Sequence, residues 1–242
     1  MQESKAVWSL ILLVATGCAS SQGFDRTAMS KALHVDPPSI SAGQPIEIQD
    51  IHLSTPLRLG VFFVDRDFPN GPSIRKVEWM TMDKGQLLRQ LAPLQNEQIL
   101  ADAFVLMDAT MRGENIPVIR QAGARYGADV VLIVDGTAAI DRYNNRNAWW
   151  YSTLIGAYLA SGTESDGLVM VTGSLWAVRS EWHTPIQTVE GVSKMVGSAV
   201  LVEDSTALQE AKERAIQALG MRTVDRLRLL AEELHRAKPN SR

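Results

Sequence analysis

The chain of 242 residues carries 24 basic and 27 acidic side chains, giving a net charge of −3, and 45% of its residues are hydrophobic. This length allows one well-buried domain or two small ones. The charge argues against nucleic acid as a partner, because nucleic-acid-binding domains normally carry a basic excess. No apolar run reaches the roughly 20 residues of a membrane-spanning helix. The single cysteine excludes a disulfide framework and metal sites built from several cysteines.

The first 18 residues have the pattern of a bacterial lipoprotein signal. A short polar start is followed by an apolar run at residues 6–14, which ends in Ala15-Thr16-Gly17-Cys18. The run is too short to span a bilayer but fits the apolar part of a secretion signal. The segment resembles a lipobox, in which small residues precede a cysteine. The resemblance implies cleavage between Gly17 and Cys18 and acylation of Cys18 by palmitate-type chains.

A lipid anchor on Cys18 implies three segments and a location. Residues 1–17 are the expected signal peptide, residues 18–55 a lipidated, flexible tether rich in Ser, Gly and Pro, and residues 56–238 a single periplasmic domain. Residues 46–53 alternate enough to add an edge strand. By resemblance to lipoproteins of Gram-negative enterics, Ala19 in place of aspartate implies the outer membrane, facing the periplasm.

Strands and helices alternate in the first half of the domain. Apolar patterns predict strands at 57–64 and 99–107 and a buried strand at 128–134. Between the first two strands, a helix is predicted that is N-capped by Asp83 and interrupted at Pro93. Between the last two, a helix is N-capped by Asn115 and ended by Gly127. The strand at 57–64 is apolar on both faces, which is typical of a central strand.

The second half predicts an antiparallel meander and a final helix. The three expected strands lie at 154–159, 168–178 and 186–192, and an amphipathic helix spans about 205–237. Gly220 within that helix indicates either a close helix approach or a bend. The fold class is therefore α+β, an α/β layer with a mixed sheet of about five to seven strands, two or three helices and a long C-terminal helix.

Three segments carry a family resemblance: YGADVVLI at 126–133, WYSTLIGAYLASG at 150–162 and SLWAVRS at 174–180. They resemble the rhombotarget-type bacterial lipoproteins over roughly residues 57–235. More loosely, an early strand followed by Gly-Ala-Asp and apolar residues resembles the fold of the TolB amino-terminal domain, the curli-secretion lipoprotein and penicillin-binding-protein activator lipoproteins. The resemblance implies an envelope assembly or interaction protein and carries over no catalytic residue.

Few side chains have a catalytic or metal-binding pattern. The four histidines show no metal-ligand spacing, and no nucleophile elbow or phosphate loop occurs, so no metal or cofactor is predicted. Asp65 and Asp67 follow the first strand, where carboxylates can perform acid–base work, with Asp108, Asp135 or Asp141 as possible companions. The favoured interpretation of Asp65 and Asp67 is turn capping together with a solvated ion pair.

The segment 141–151 combines arginines, amides and aromatic residues, which are favoured at interfaces. Two interpretations stay open: an interaction surface for protein, carbohydrate or the membrane headgroup zone, or a hairpin loop whose tryptophans enter the core. Insertion of residues 150–159 into lipid is disfavoured by their short length and by Ser152 and Thr153. The candidate contact residues are Arg142, Tyr143, Trp149, Trp150 and Tyr151.

These observations favour a non-enzymatic lipoprotein that docks an envelope protein, with the membrane as a second partner through Cys18. One alternative is self-assembly into a ring or pore, which would make the chain a homo-oligomer. The other is an envelope hydrolase that uses the Asp65/Asp67 loop.

Overall fold

The computed structural model describes residues 20–33, 53–65, 74–107 and 115–237. Six strands in these ranges form one mixed sheet with helices on both faces, which confirms the α+β class. The strands are β1 (Leu57–Phe63), β2 (Arg75–Lys76), β3 (Leu100–Val105), β4 (Val130–Asn144), β5 (Thr163–Ala177) and β6 (His183–Gly197). The helices are α1 (Arg26–Ala32), α2 (Thr81–Leu91), α3 (Pro93–Asn96), α4 (Ile116–Arg125), α5 (Leu154–Leu159) and α6 (Asp204–Ala237), with a 3₁₀ helix at Arg146–Ser152.

The sheet has the order β3-β1-β4-β5-β6, and β2 pairs with part of β4. Strand β1 runs parallel to both of its neighbours, β3 and β4, which confirms its predicted central position. Strands β4, β5 and β6 form an antiparallel meander, in which β5 and β6 contain the predicted strands at 168–178 and 186–192 in large part. The parallel half and the meander share β4, so this strand joins the two parts of the fold.

The predicted strand at 154–159 is wrong, because these residues form helix α5. Its expected place in the meander is taken by the second half of β4, which is 15 residues long and pairs with β5 as far as Asn144 and Thr163. A short apolar run has no periodicity that separates a strand from a helix. Helices α1, α3 and α5 are short, and they raise the helix number above the predicted two or three.

Two apolar layers lie on opposite faces of the sheet. On one face, α2 and α6 cover the main core, to which Leu219 and Leu227 of α6 contribute fully buried side chains. On the other face, Ile119 of α4 packs on Val131 and Ile133 of β4. Gly220 permits a close helix approach, as one interpretation of the sequence had it, because a Cβ there would meet Gln90 of α2.

The helix ends agree with their predicted positions except at α2. Asn115 is the N-cap residue of α4, and Gly127 follows that helix with φ +72°. Asp83, however, is not an N-cap: it is the third residue of α2, and its carboxylate accepts a hydrogen bond from the Met80 backbone N–H at 2.8 Å. Asp83 is almost completely buried, and Lys212 of α6 lies 2.6 Å from its carboxylate.

The described part of the predicted tether is docked rather than free. Residues 20–33 include α1, whose Met29 is buried against Ala139, Leu168 and Met170 of the sheet. Packing of Met29 removes this third apolar cluster from water, which offsets the conformational entropy of ordering the segment. The signal peptide, Cys18, and residues 34–52 with nearly all of the expected edge strand at 46–53 lie outside the described residues.

Candidate interaction surface

Two connections lie at the same end of the sheet, and we call them together the tip: residues 145–162, between β4 and β5, and residues 198–203, between β6 and α6. They share an end because Asn144 pairs with Thr163, and Thr163 pairs in turn with Gly197. The segment 141–151 is therefore not one loop. Its first four residues are the end of β4, and the rest belongs to the tip.

The tip exposes large apolar side chains to solvent. Trp149 is 64% exposed, Trp150 49% and Leu159 77%. The core interpretation of the two tryptophans is therefore wrong. The other exposed members are Ile155, Tyr158, Val200 and Leu201. Clusters of this kind on a folded domain mark an interaction site, because isolated exposed apolar residues are ordinary but contiguous groups are not.

Internal contacts hold the long connection of the tip in one conformation. Asn145 Nδ2 donates to the Ser161 carbonyl at 3.0 Å, which ties the two ends of the connection together. The Tyr151 hydroxyl lies 3.0 Å from Thr163 Oγ1, so Tyr151 supports the tip from within. The rings of Trp149 and Trp150 have centroids 4.0 Å apart. The exposed aromatic residues are therefore presented by an ordered backbone.

Arg142 braces the short connection of the tip. Its guanidinium donates to the carbonyl oxygens of Ala199 at 2.9 Å and Val202 at 3.4 Å, and it pairs with Asp204 at the start of α6 at 3.4 Å. The Ser165 hydroxyl also donates to Asp204, at 2.8 Å. Much of the hydrogen-bonding capacity of Arg142 is thus used to position Val200 and Leu201.

Tyr143 belongs to a polar network on the strand ends below the tip. Its hydroxyl donates to Asp166 at 3.1 Å and accepts from Lys194 Nζ at 3.2 Å, while Lys194 pairs with Glu164 at 2.6 Å. Hydrogen bonds from Lys194, the largest cause, and from Asn145 lower the pKa of Glu164 to about 2. The neighbouring carboxylates of Glu164 and Asp166 raise the pKa of Tyr143. The network ties β4, β5 and β6 together.

The N-terminal segment meets the sheet close to the tip. Ser21 Oγ donates to Asp141 Oδ2 at 2.5 Å, and the Gly23 backbone N–H donates to the same oxygen at 2.8 Å. Asp141 is only three residues from the end of β4. From there the chain runs away from the tip, since Met29 packs beside Ala139, further back along β4. This contact has no sequence signal, because it joins residues 120 positions apart.

The candidate acidic site is not assembled in the described part of the chain. Asp65 is exposed and lies 3.6 Å from Lys76, which agrees with a solvated ion pair, whereas Asp67 and Asp108 lie outside the described residues. Asp135 is buried and accepts from the Gly136 backbone N–H, and Asp141 holds the N-terminal segment. Among the residues that the structure describes, no group of three or more histidine, cysteine, aspartate or glutamate side chains is placed to hold a metal ion.

Sequence reasoning found the tryptophans but missed most of the apolar tip. Ile155, Tyr158 and Leu159 fall in the segment predicted as the first strand of the meander, and the connection at 198–203 carries no expectation. One signal is present in the sequence: residues 145–162 contain no carboxylate and a single charge, Arg146.

In the described part of the chain no helix is both long enough and apolar enough to cross a membrane.

No family model matches the chain, and no curated protein matches it significantly. The resemblance to rhombotarget-type lipoproteins therefore stays a prediction. Among solved structures, the hypothetical protein CT253 of Chlamydia trachomatis is similar at 10% identity and a TM-score of 0.35, over 70% of this chain and 96% of that one.

Two bacterial lipoproteins also resemble this chain, with similarly low sequence identity and low TM-scores. Rare lipoprotein B of Shewanella oneidensis has 14% identity and a TM-score of 0.33, over 72% of this chain and 98% of that one. Lipoprotein GNA1162 of Neisseria meningitidis has 12% identity and a TM-score of 0.24, over 72% of this chain and 99% of that one. Lipoproteins thus occur among the solved structures that this chain loosely resembles, at a similarity too low to carry an inference about its function.

Proposed function

We propose that this chain is a lipid-anchored protein of the bacterial envelope whose folded domain is a non-enzymatic interaction module. The anchor is the acylated Cys18, and the interaction surface is the tip. The exposed apolar cluster around Trp149, Trp150 and Leu159 carries this proposal. Apolar and aromatic side chains held in an ordered conformation are the usual source of binding free energy at interfaces.

The anchor and the surface support each other physically. A lipidated N-terminus confines the domain to one membrane, which raises its local concentration there, so that weak contacts at the tip are sufficient. Two or more acyl chains give stable anchoring at about 0.8 kcal/mol per buried CH₂. The proposal places the anchor in the outer membrane, with the domain in the periplasm.

The anchor is tested by metabolic labelling with a palmitate analogue in the producing bacterium. The wild-type chain is expected to incorporate the label and to fractionate with the outer membrane. The Cys18→Ser variant is expected to incorporate none, because it has no thiol to acylate. Equal labelling of both proteins would contradict the anchor.

The interaction surface is tested by photo-crosslinking in intact cells. A photoreactive amino acid replaces Tyr158 at the tip, and in a matched control it replaces Met221, which is similarly exposed on α6. Adducts with envelope lipid or protein are expected from position 158 only, and they should be lost when Trp149→Ala and Trp150→Ala are added. Identical products from both positions would contradict the proposal, and adducts between copies of the chain would favour the self-assembling alternative.

A further inference from the structure

We infer that the partner of the tip is the lipid surface itself: the tip lies in the headgroup layer of the membrane that carries the Cys18 lipid. This inference rests on the proposed function, since it takes both the anchor and the interaction surface from it. It adds the occupant of that surface and the orientation of the domain on the membrane.

The first step is the short distance between the anchor and the sheet. Ser21 is fixed to Asp141 by its hydroxyl, and Gly23 by its backbone N–H. Only three residue steps separate Cys18 from Ser21, and a fully extended chain covers at most about 3.6 Å a step. The acylated sulfur is therefore within roughly 11–15 Å of Ser21, including the cysteine side chain, and Ser21 itself contacts Asp141.

The second step is that the tip is equally close to Asp141. Three residues of β4 separate Asp141 from Asn144, where the strand ends. At about 3.3 Å a residue the tip begins roughly 10 Å from Asp141. The chain turns away from the tip after Gly23, because α1 packs further back along the sheet. An acyl chain on Cys18 thus brings the tip, rather than the opposite end of the domain, to the lipid headgroups.

The third step is the chemistry of the tip. Tryptophan and tyrosine are enriched where lipid headgroups meet the acyl chains, and Trp149, Trp150 and Tyr158 are exposed here. Residues 145–162 carry no carboxylate, and their one charge, Arg146, suits lipid phosphates. The short connection is uncharged from Ser198 to Val202, and its one charge, Glu203, adjoins the start of α6. The tip thus carries one carboxylate, Glu203, and one cation, Arg146, so it has little net charge to repel an anionic or zwitterionic surface.

The polar residues Ser152 and Thr153 do not oppose this orientation. They argue against residues 150–159 as a membrane-spanning or deeply inserted segment. An interfacial segment instead lies in the plane of the headgroups, with its apolar side chains in lipid and its polar groups in water.

A single-cysteine experiment tests the inference on the full lipidated protein. Cys18 is the only cysteine of the chain, so in the acylated protein an introduced cysteine is the only free thiol. Leu159→Cys and Leu201→Cys place an environment-sensitive fluorophore at the two connections of the tip. Leu229→Cys is the matched control, since it is also an exposed leucine but lies 25 residues along α6, roughly 37 Å from its start.

The labelled proteins are reconstituted at low density in vesicles of phosphatidylethanolamine and phosphatidylglycerol, with and without nitroxide-bearing lipid. We expect blue-shifted emission and severalfold stronger nitroxide quenching at positions 159 and 201 than at position 229. Adding Trp149→Ala and Trp150→Ala should reduce this quenching. Equal quenching at all three positions would overturn the inference, because the domain would then lie flat or tumble.

Two other outcomes overturn the inference, and the second of them names a different occupant. Emission typical of water at both tip positions would mean that bare lipid does not cover the tip. Protein adducts in intact cells would then still support the proposed function. Blue-shifted emission that is insensitive to nitroxide lipid and grows with protein density would assign the tip to a second copy of the chain.

Discussion

The ion pair between Lys212 and Asp83 joins α6 to α2 with almost no exposure to solvent. Lys212 Nζ lies 2.6 Å from the Asp83 carboxylate and donates to the Glu78 carbonyl at 2.7 Å. Asp83 also accepts a hydrogen bond from the Met80 backbone N–H. Charges removed from water are tolerated when hydrogen bonds satisfy them in this way, so neither member can be lost alone without leaving an uncompensated charge.

We expect Lys212→Met to destabilise the domain by roughly 3–5 kcal/mol, because it leaves Asp83 buried without its cation. Urea unfolding at neutral pH measures the loss. Arg236→Met is the control, since Arg236 pairs with Glu232 at the surface and its loss should change the free energy of unfolding by less than about 1 kcal/mol. A Lys212→Met protein as stable as the control would show that Asp83 is not held by Lys212.

The Glu164 network predicts a pH dependence of stability. The pKa of Glu164 falls from its ordinary value of 4.5 to about 2 in the folded protein. A group whose pKa is lowered by folding stabilises the fold above its unfolded pKa, and this contribution is lost as the pH falls toward the folded pKa. We therefore expect Glu164→Gln to lower the melting temperature at pH 7, and the difference from wild type to shrink steadily between pH 5 and pH 3.

The control for this experiment is Glu181→Gln. Glu181 pairs with Arg120, but its side chain is 91% exposed, so its loss should have a small effect that changes little over the same pH range. A constant difference between the Glu164→Gln and wild-type proteins down to pH 3 would contradict the assigned pKa.

At the scale of elements, the contact of β6 with α6 depends on a glycine. A Cβ built on Gly191 would overlap the Ala211 carbonyl oxygen and the Ala215 nitrogen of α6. Backbone atoms of a packed helix cannot move aside as a flexible side chain can. The sheet and the C-terminal helix therefore approach so closely only because residue 191 has no side chain.

Two glycine-to-alanine changes should have opposite signs. Gly191→Ala is expected to destabilise the domain by about 1–3 kcal/mol through overpacking. In α2, a Cβ on Gly85 would meet only Arg89 Nη1, at 3.4 Å, so Gly85→Ala should stabilise the domain by up to about 1 kcal/mol through helix propensity. Thermal unfolding of both variants measures the contrast, and a neutral Gly191→Ala would show that the two elements can separate without loss.

Elements with strong local signals could be predicted from the sequence. The apolar strand around Val61, the capped helix that ends at Gly127, and the long helix from residue 204 all have patterns set by their own residues. The length of β4 could not be predicted, because its second half is stabilised by pairing with β5 rather than by local propensity. Helix α1 is seven residues long, and packing of Met29 on a distant part of the chain stabilises it.

The surface of the whole molecule was predictable only in part. The composition of residues 141–151 indicated an interface, but exposure of Trp149 and Trp150 depends on how the connection folds back on itself. Ile155 and Leu159 fall in a segment that the sequence predicts as a strand of the meander, and a short apolar run does not show whether its side chains are exposed. These side chains are exposed because the pairing of β4 with β5 ends at Asn144 and Thr163, so the residues between them lie outside the sheet.

Asp141 couples the N-terminal segment to the rest of the molecule, so we expect its replacement to loosen that segment while the rest of the domain stays folded. Asp141→Ala removes the acceptor of the Ser21 and Gly23 hydrogen bonds, and hydrogen bonds to charged groups contribute about 1.5–3 kcal/mol each. A loss of about 1.4 kcal/mol raises tenfold the population of molecules whose N-terminal segment is detached from the sheet, which we call the open population. We expect trypsin cleavage at Arg26 and Lys31 to accelerate at least tenfold, since cleavage follows that population when opening is fast.

Cleavage of the rest of the domain should change much less, because the main core on the α6 face does not include this segment. Asp102→Ala is the matched control: Asp102 is an exposed carboxylate on β3, and among the described residues it accepts from its neighbour's backbone N–H. Unchanged cleavage at Arg26 and Lys31 in Asp141→Ala would mean that other contacts, such as the packing of Met29 and the ion pair between Arg26 and Glu190, hold the segment without Asp141. Ser21 would then not be a fixed point near the tip, and the short distance between the Cys18 lipid and the tip would lose its support.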